Sequence, residues 1–420
     1  MKKRISCFMA LSMACGLAVC GNTPALADEV SFTIFNSKNE LQEQLEQVCA
    51  EYGEANGVNI EVYYSNDTVS AHLAARYAAN DPYTLMMVDA KDVYSLGSEL
   101  AVDLSDEEWV DDTDYAITLG DQVKGFPVCI EARGLLYNAD AIEAITGETF
   151  NPDDYATLDD FTALLDRLVE GGMEYPTAVQ KEDWSLGAHY IQQVYEQREN
   201  VDEFIDQLYA GTADLLNDEK FNSIVDTLDV LLKYNYAQEA VVAAERQVSQ
   251  QKLAEGEIAF LFDGCWGWGD INDFDYTENL GQMPLPQNTD DGSNKKMVGG
   301  SSKFFMIDAS EDTTDEQRQA AKDFLNWLVF SEEGQSFIAN DCDMISPFSN
   351  NTLPVSNPFG QSVKNYADEG AMIDNYNYDP DDHFSLVGAS MQKYLAGNID
   401  REGLASEIEA YWSSVTPVEH

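Results

Sequence analysis

Two tryptophans, Trp266 and Trp268, lie on a glycine-rich loop after a predicted strand at residues 258–262. Two indoles on so short a turn do not pack easily into one core, so we expect at least one to line a concave surface. There it could stack on a flat apolar ligand face, and a sugar ring has such a face. The alternative is that both rings fill the core at the strand end. Asp263, at the end of the same strand, is a candidate polar contact.

A pair of charges, Glu131 and Arg133, interrupts the β-rich run FPVCIEARGLLYNADAI that begins at Phe126. A buried strand rarely carries two charges for packing alone. We therefore predict that this run crosses from one lobe of the protein to another, with both charges facing the cleft between the lobes. The alternative is an exposed edge strand with solvated charges.

The first part of the chain alternates strands with helices. Residues 30–35, 58–64 and 84–88 have strand patterns, and the leucines between the first two mark one face of a helix, which predicts a βαβ unit. Ligands of α/β proteins bind beyond the carboxyl ends of parallel strands. That position is occupied by Asp89 after the third strand and by Asn36, Ser37 and Lys38 after the first. Trp184, which opens a later helix, is placed at the rim of the cleft.

The length of the chain favours two lobes, each with a substantial core. Pro284 and Pro286 exclude both a helix and a central strand, so residues 282–290 are interpreted as a linker back to the first lobe. The predicted fold class is α/β. Lobe I comprises residues 28–130 and 287–343, and lobe II comprises residues 131–286 and 344–420.

The composition excludes several classes of function. A formal net charge of −53 excludes nucleic acid as a natural partner, and 44% hydrophobic residues exclude a disordered acidic tail. The cysteine and histidine spacings are not those of metal sites, and the acidic runs at residues 288–294 and 379–382 do not fit a calcium loop. We expect no metal and no cofactor. The four cysteines after residue 27 allow three pairings or none, and buried free thiols are favoured.

The N-terminus has the pattern of an export signal, with Lys2, Lys3 and Arg4 before an apolar run too short to span a bilayer. Two processing sites compete. Cleavage after Ala27 is favoured by the small residues around it, whereas Cys20 follows a sequence similar to a lipoprotein box. Either one predicts export, to the outer face of the membrane or to the periplasm.

Three stretches carry a resemblance to a known family: PVCIEARGLLYNAD at residues 127–140, LAEGEIAFLFDGCWGWGDI at 253–271, and AAKDFLNWLVFSEEGQSFI at 320–338. With these stretches in this order after an export signal, the chain resembles an extracellular solute-binding protein of a carbohydrate ABC transporter, the group that includes maltose-binding protein. The resemblance implies a periplasmic-binding-protein fold of type II. In that fold two α/β lobes are joined by crossing segments and close on a sugar.

The resemblance also implies roles for particular residues. Trp266 matches the stacking tryptophan and Glu131 matches an acid that hydrogen-bonds sugar hydroxyls. Asn36 and Asp89 fall on loops that face the cleft in relatives, and Phe384 lies where a further aromatic is often found. Arg133 and Cys265 depart from maltose-binding protein, so maltose itself is not implied. The full set of candidate ligand contacts is Trp266, Glu131, Asp89, Asn36, Arg133, Trp268, Phe384, Trp184 and Asp263.

The resulting prediction is a monomeric sugar-binding protein that delivers its ligand to the membrane subunits of an importer, and not an enzyme. Two alternatives stay open. A secreted glycosidase would need paired catalytic carboxylates, and no spacing rises above the background of 76 acidic residues. The same fold could bind a polyamine or another small solute. A polyamine is disfavoured if Arg133 faces the cleft and favoured if a ring of carboxylates lines it.

Overall fold

We describe the fold from a computed structural model, in which residues 30–65 and 67–418 are described. The predicted signal segment, with Ala27 and Cys20, lies outside these residues. The strands are β1 Val30–Asn36, β2 Val58–Tyr64, β3 Leu85–Asp89, β4 Ile117–Leu119, β5 Gln122–Asn138, β6 Thr177–Val179, β7 Phe260–Gly264, β8 Leu280–Met283, β9 Met297–Ile307 and β10 Met372–Ile373.

Helices cover both faces of these strands. They are α1 Gln42–Asn56, α2 Val69–Ala78, α3 Ala90–Leu100, α4 Ala139–Thr146, α5 Leu158–Glu170, α6 Gln193–Glu196, α7 Val201–Tyr209, α8 Glu219–Lys233, α9 Arg246–Ala254, α10 Trp268–Ile271, α11 Asp315–Phe330, α12 Glu332–Ser336, α13 Pro358–Asp368, α14 His383–Leu395 and α15 Arg401–Ser414. A π-helical turn, Ser185–Tyr190, precedes α6. None of the helices in the described ranges is both long enough and apolar enough to span a bilayer.

One mixed sheet runs through the molecule in the order β2-β1-β3-β9-β5-β7-β6. β1 pairs in parallel with β2 and β3, which confirms the predicted βαβ unit. β5 and β9 pair antiparallel at the centre of the sheet, and β7 and β8 pair with the second half of β5. β5 is therefore a central strand, and the alternative of a solvated edge strand is wrong.

The two largest hydrophobic clusters of the described residues mark the two lobes. Lobe I is built on β1–β3 and α11, where Phe32, Trp109 and Phe324 are buried together. Lobe II is built on β7 and helices α5, α8 and α15, where Phe260 and Trp412 are buried. β5 contributes to both regions, since its early residue Phe126 packs in lobe I and its later residues pack in lobe II. The predicted two-lobed α/β fold is confirmed.

The return to lobe I differs in detail from the prediction. β8 extends to Met283 before Pro284 ends it, so the first two residues of the predicted linker are strand. Gln287 donates to Gln197 (2.9 Å) and Asn294 donates to the carbonyl of Ala156 (3.0 Å), both in lobe II. Because these contacts tie residues 287–294 to lobe II, we propose that the second crossing lies within β9 rather than at residue 287.

The cysteines follow the prediction. Cys49, Cys129, Cys265 and Cys342 are all free thiols, and the first three are buried. Burial raises the pKa of the Cys265 thiol to about 12, so the sulfur stays protonated and unreactive at neutral pH. These residues therefore act as small apolar side chains in the packing.

Candidate ligand-binding site

The crossing of β5 and β9 places Glu131 and Arg133 between the lobes. Two residues apart on a strand, they project from the same face, and their exposed fractions are only 7% and 6%. β9 approaches closely here because it carries glycine: a Cβ on Gly299 would lie 2.4 Å from the carbonyl oxygen of Glu131. The pair of charges is therefore buried at the junction.

Glu131 is held by lobe I. Its Oε1 accepts from Lys38 Nζ at 2.7 Å, and its Oε2 accepts from the hydroxyl of Ser302 on β9. Lys38 also pairs with Glu40 at 2.8 Å. Burial opposes the ionisation of Glu40, but the Lys38 charge outweighs it and lowers the pKa of this carboxyl to about 2. Lys38 thus forms ion pairs with two carboxylates, just before the start of α1.

Asn36 shapes the loop that presents Lys38. It is fully buried, donates to the Lys38 carbonyl at 2.9 Å and accepts from the Lys38 amide at 2.8 Å. This is the side-chain-to-backbone hydrogen bonding typical of Asn in turns. Asn36 was predicted as a ligand contact, but its contacts in the structure are with this loop, and Lys38 is the side chain that reaches the junction.

Asp89 lies where the sequence placed it, at the carboxyl end of β3. It begins α3 with a capping box and pairs with Lys303 of β9, while its side chain is 41% exposed. Burial opposes its ionisation, but Lys303 and Lys91 outweigh that effect and hold the pKa of the Asp89 carboxyl below its usual range. Lys303 also donates to Ser37 Oγ at 3.2 Å. The ends of β1 and β3 are thereby joined through β9.

Arg133 points into lobe II. It donates to the carbonyl of His189 (3.1 Å) and to Asn375 Oδ1 (2.7 Å), and it forms an ion pair with Glu196. Burial raises the pKa of Glu196 even though the Arg133 charge opposes this. The Arg133 guanidinium is therefore paired with groups of lobe II and does not point to solvent.

Three rings form a surface that we call the aromatic wall: Trp184, His189 and Trp266, of which His189 accepts from Arg133 through its backbone carbonyl. The His189 ring lies between the indoles, with centroids 4.6 Å from Trp266 and 5.5 Å from Trp184. All three side chains are partly exposed. Burial, followed by the charge of Arg133, holds the pKa of His189 well below its usual range, so the wall carries no charge.

The remaining predicted residues are not part of the aromatic wall itself. Trp268 is 8% exposed and packs in lobe II, with its ring 5.1 Å from Tyr276 and 5.7 Å from Phe359. Asp263 is fully buried behind Trp266, where it accepts from Gln180 at 2.6 Å. Phe384 is partly buried on α14, and its backbone packs directly against Gly187 in the turn that carries His189.

The two lobes also touch at one end of the cleft. Tyr94 of α3 packs on Tyr378, with ring centroids 4.4 Å apart, and Lys91 pairs with Asp381 at 3.2 Å. The acidic run at 379–382 therefore joins the lobes. Across the part of the chain that the structure describes, no three His, Cys, Asp or Glu residues are grouped as metal ligands.

Sequence reasoning missed His189, Lys303 and Arg246. His189 follows Trp184 by five residues, but the π-helical turn that brings the two rings together has no recognisable pattern. Lys303 lies in an apolar strand, and the rarity of a charge in such a strand, which identified Glu131, could have identified this lysine as well. Arg246 opens α9 and its guanidinium carbon lies 5.6 Å from the centre of the Trp184 ring.

Over residues 47–356 the sequence matches the family described as bacterial extracellular solute-binding protein. The chain belongs to this family. The predicted resemblance is thereby confirmed, and the family's extracellular location fits the expected export. No curated protein matches the sequence.

Solved structures of solute-binding proteins share the fold. SBP RafE in complex with raffinose is 17% identical with a TM-score of 0.76, over 91% of this chain and 99% of that one. A chitin oligosaccharide binding protein is 20% identical with a TM-score of 0.73, over 92% and 98%. A sugar transporter from Bacillus licheniformis in complex with stachyose is 16% identical with a TM-score of 0.71, over 91% and 99%. At these identities the likeness shows the fold and leaves the ligand open.

Proposed function

We propose that this solute-binding protein captures a neutral sugar, of oligosaccharide size, between its lobes and delivers it to an ABC importer. The observation that carries the proposal is the aromatic wall beside the buried charges of the crossing strands. A sugar ring offers an apolar face for stacking and a rim of hydroxyls for hydrogen bonds. Both kinds of partner meet at this junction. The three related structures described above, with names that refer to sugars, support the same choice of ligand.

The pairing of the charges favours a neutral ligand. Lys38 is neutralised by Glu131 and Glu40, Lys303 by Asp89, and Arg133 by Glu196. A charged ligand would have to break one of these pairs and leave its partner buried alone, which is costly. A polyamine is disfavoured for the same reason, because its ammonium groups would have to displace Lys38, Lys303 or Arg133 from the carboxylates with which they are paired.

Binding of this kind needs only modest energy. A micromolar dissociation constant corresponds to about −8 kcal/mol. One or two stacked rings and several charge-assisted hydrogen bonds supply that amount after the cost of closing the lobes. Nothing in this arrangement requires a chemical step, so a binding protein is favoured over a glycosidase.

In the proposal, delivery to an importer depends on a hinge motion at the two crossing strands. β5 and β9 join the lobes, so rotation about them would open and close the cleft. In the proposal, membrane subunits recognise the closed form, which the ligand stabilises. The N-terminal sequence would bring the protein outside the cell, with cleavage after Ala27 or lipid attachment at Cys20.

The test is a thermal-shift screen of residues 28–420, followed by calorimetry on each hit. The panel comprises raffinose, stachyose, chitin, xylan and mannan oligosaccharides, monosaccharides, amino acids and spermidine. A ligand that binds only the folded form raises the melting temperature. We expect a shift with one class of neutral oligosaccharide. A shift with spermidine alone, or release of monosaccharide during incubation, would contradict the proposal.

A further inference from the structure

Asp263 lies behind the aromatic wall and contacts the supports of both tryptophans. Its side chain is 0% exposed. Oδ1 accepts from the amide of Gly264 at 2.9 Å, and Oδ2 accepts from Gln180 at 2.6 Å. The Arg246 guanidinium approaches Oδ2 at 3.6 Å. Among these neighbours, Gly264 and Arg246 each lie against a different tryptophan of the wall.

The first neighbour supports Trp266. The indole lies directly over Gly264: a Cβ added there would stand 2.2 Å from Trp266 Cζ3 and 2.3 Å from Cη2. No side chain could occupy that space without moving the ring. Because Asp263 holds the Gly264 amide, it also fixes the turn over which the Trp266 ring is laid.

The second neighbour supports Trp184. The Arg246 guanidinium carbon lies 5.6 Å from the centre of that indole, within the range of a cation–π contact. The same guanidinium pairs with Asp270. Asp263 and Asp270 together hold Arg246 against the Trp184 ring, on the other side of His189 from Trp266.

We infer that Asp263, Gly264 and Arg246 are positioning residues of the aromatic wall: Asp263 fixes Trp266 through Gly264 and Trp184 through Arg246, and so sets the spacing of the two indoles around His189. This inference rests on the proposed function, in which a sugar stacks on the aromatic wall. A fixed spacing between the two indoles would then select a ligand by the width and flatness of its ring. The geometry itself can be tested without any sugar.

The sugar-free test observes the indole N–H signals of the protein labelled with ¹⁵N-tryptophan, assigned by single Trp→Phe variants. D263N should shift the Trp184 and Trp266 signals together. R246K, which keeps the charge but loses the planar fork, should shift only Trp184. G264A should shift Trp266 most. The buried reference tryptophans, Trp109 and Trp412, should not respond to any of these variants.

Two matched controls separate positioning from general damage. Asp308 is as buried as Asp263 and accepts from several donors in lobe I, so D308N should lower stability without moving Trp184 or Trp266. Gly269 lies five residues after Gly264, and a Cβ there would make only ordinary contact at 3.8 Å. G269A should therefore leave the Trp266 signal in place.

The second readout is the affinity for the sugar that the panel identifies. We expect G264A and D263N each to weaken binding at least tenfold, with G269A within twofold of the parent. If no sugar binds, the proposed function fails and the N–H signals still decide the positioning. Signals of Trp184 and Trp266 that stay fixed in both D263N and G264A would overturn the inference, and should G264A fail to fold, D263N and R246K decide it.

Discussion

The two faces of the cleft are built from different kinds of side chain. The lobe I face consists of ion pairs, in which Lys38 is paired with Glu131 and Glu40, and Lys303 is paired with Asp89. The lobe II face is the aromatic wall, which is uncharged and partly exposed. In the proposed function, the first face would orient the ligand through hydrogen bonds and the second would provide apolar contact area.

Because of this difference, we expect substitutions on one face to affect mainly the stability of the protein and substitutions on the other to affect mainly its affinity for the ligand. The ion pairs of lobe I involve both crossing strands, through Glu131 on β5 and Lys303 on β9, so removing one member leaves its partner without that counter-charge. The rings of the aromatic wall are partly exposed, so in the proposed function truncating one ring would remove a ligand contact and leave few unsatisfied groups. Substitutions on the lobe I face should lower stability, and those on the lobe II face should lower affinity.

The largest effect is expected for Glu131→Gln. It removes one anion of the buried pair with Lys38, whose side chain is 6% exposed. The free energy of unfolding should fall by about 3 kcal/mol, the usual cost of breaking a buried pair, measured by urea denaturation. Glu40→Gln is the control, because it removes the 37% exposed partner of the same lysine and should cost less than about 1 kcal/mol. Equal losses of unfolding free energy in the two variants would contradict the idea that the buried Glu131 contributes more to stability than the exposed Glu40.

Trp266→Ala tests the other face. Sugar affinity should fall at least tenfold, which corresponds to about 1.4 kcal/mol, with a nearly unchanged melting temperature. Trp268→Phe provides the contrast two residues away, since Trp268 packs among Tyr276 and Phe359. It should lower the melting temperature and leave calorimetric affinity intact. If Trp266→Ala binds sugar as the parent does, its ring is a packing residue only.

Asp381→Asn tests the contact that joins the faces. The Lys91–Asp381 pair is partly exposed, with Asp381 49% accessible, so its loss should weaken sugar binding only two- to threefold, in line with about 0.5 kcal/mol. The ligand-free protein should also become more open by small-angle scattering. Both effects should vanish in about 1 M salt because the pair is then screened. Asp368→Asn, which breaks a pair within one helix, should change neither quantity.

Much of this architecture was predictable because it depends on local patterns. The alternation of strands and helices identified the βαβ unit, and the rarity of two charges in an apolar strand identified β5 as the crossing segment. Trp266 and Glu131 could be found in the same way, as costly residue types at positions where packing alone does not require them. The structure places Glu131 at the junction of the lobes and Trp266 in the aromatic wall.

Other parts depend on the rotation of single loops and on distant partners. Asn36 and Lys38 lie in the same turn, and only the fold shows that the amide is buried and the lysine reaches Glu131. Trp266 and Trp268 are separated by one residue and point to different surroundings. Lys303 meets Asp89 from 214 residues away along the chain, a pairing that no local pattern contains.

The smallest expected effect is that of pH on sugar affinity. Between pH 8 and pH 5 the affinity should change less than twofold in calorimetry. The pKa of Glu40 is about 2 and that of Asp89 is below its usual range, so both stay ionised. The pKa of His189 lies well below its usual range, so the wall stays neutral. A tenfold fall near pH 6.5 would show that His189 titrates normally and that the wall becomes charged.

Below pH 5 the stability of the protein, unlike its sugar affinity above pH 5, should depend on pH. Glu40 has a pKa of about 2 in the folded protein against an ordinary 4.5, so its contribution is fully present above pH 4.5 and is lost as the pH falls toward 2. The melting temperature of Glu40→Gln should therefore approach that of the parent as the pH is lowered through this range. Trp266→Ala should show no such convergence, because stacking has no proton to gain. The lobe I face would then be the acid-sensitive half of the cleft and the aromatic wall the insensitive half.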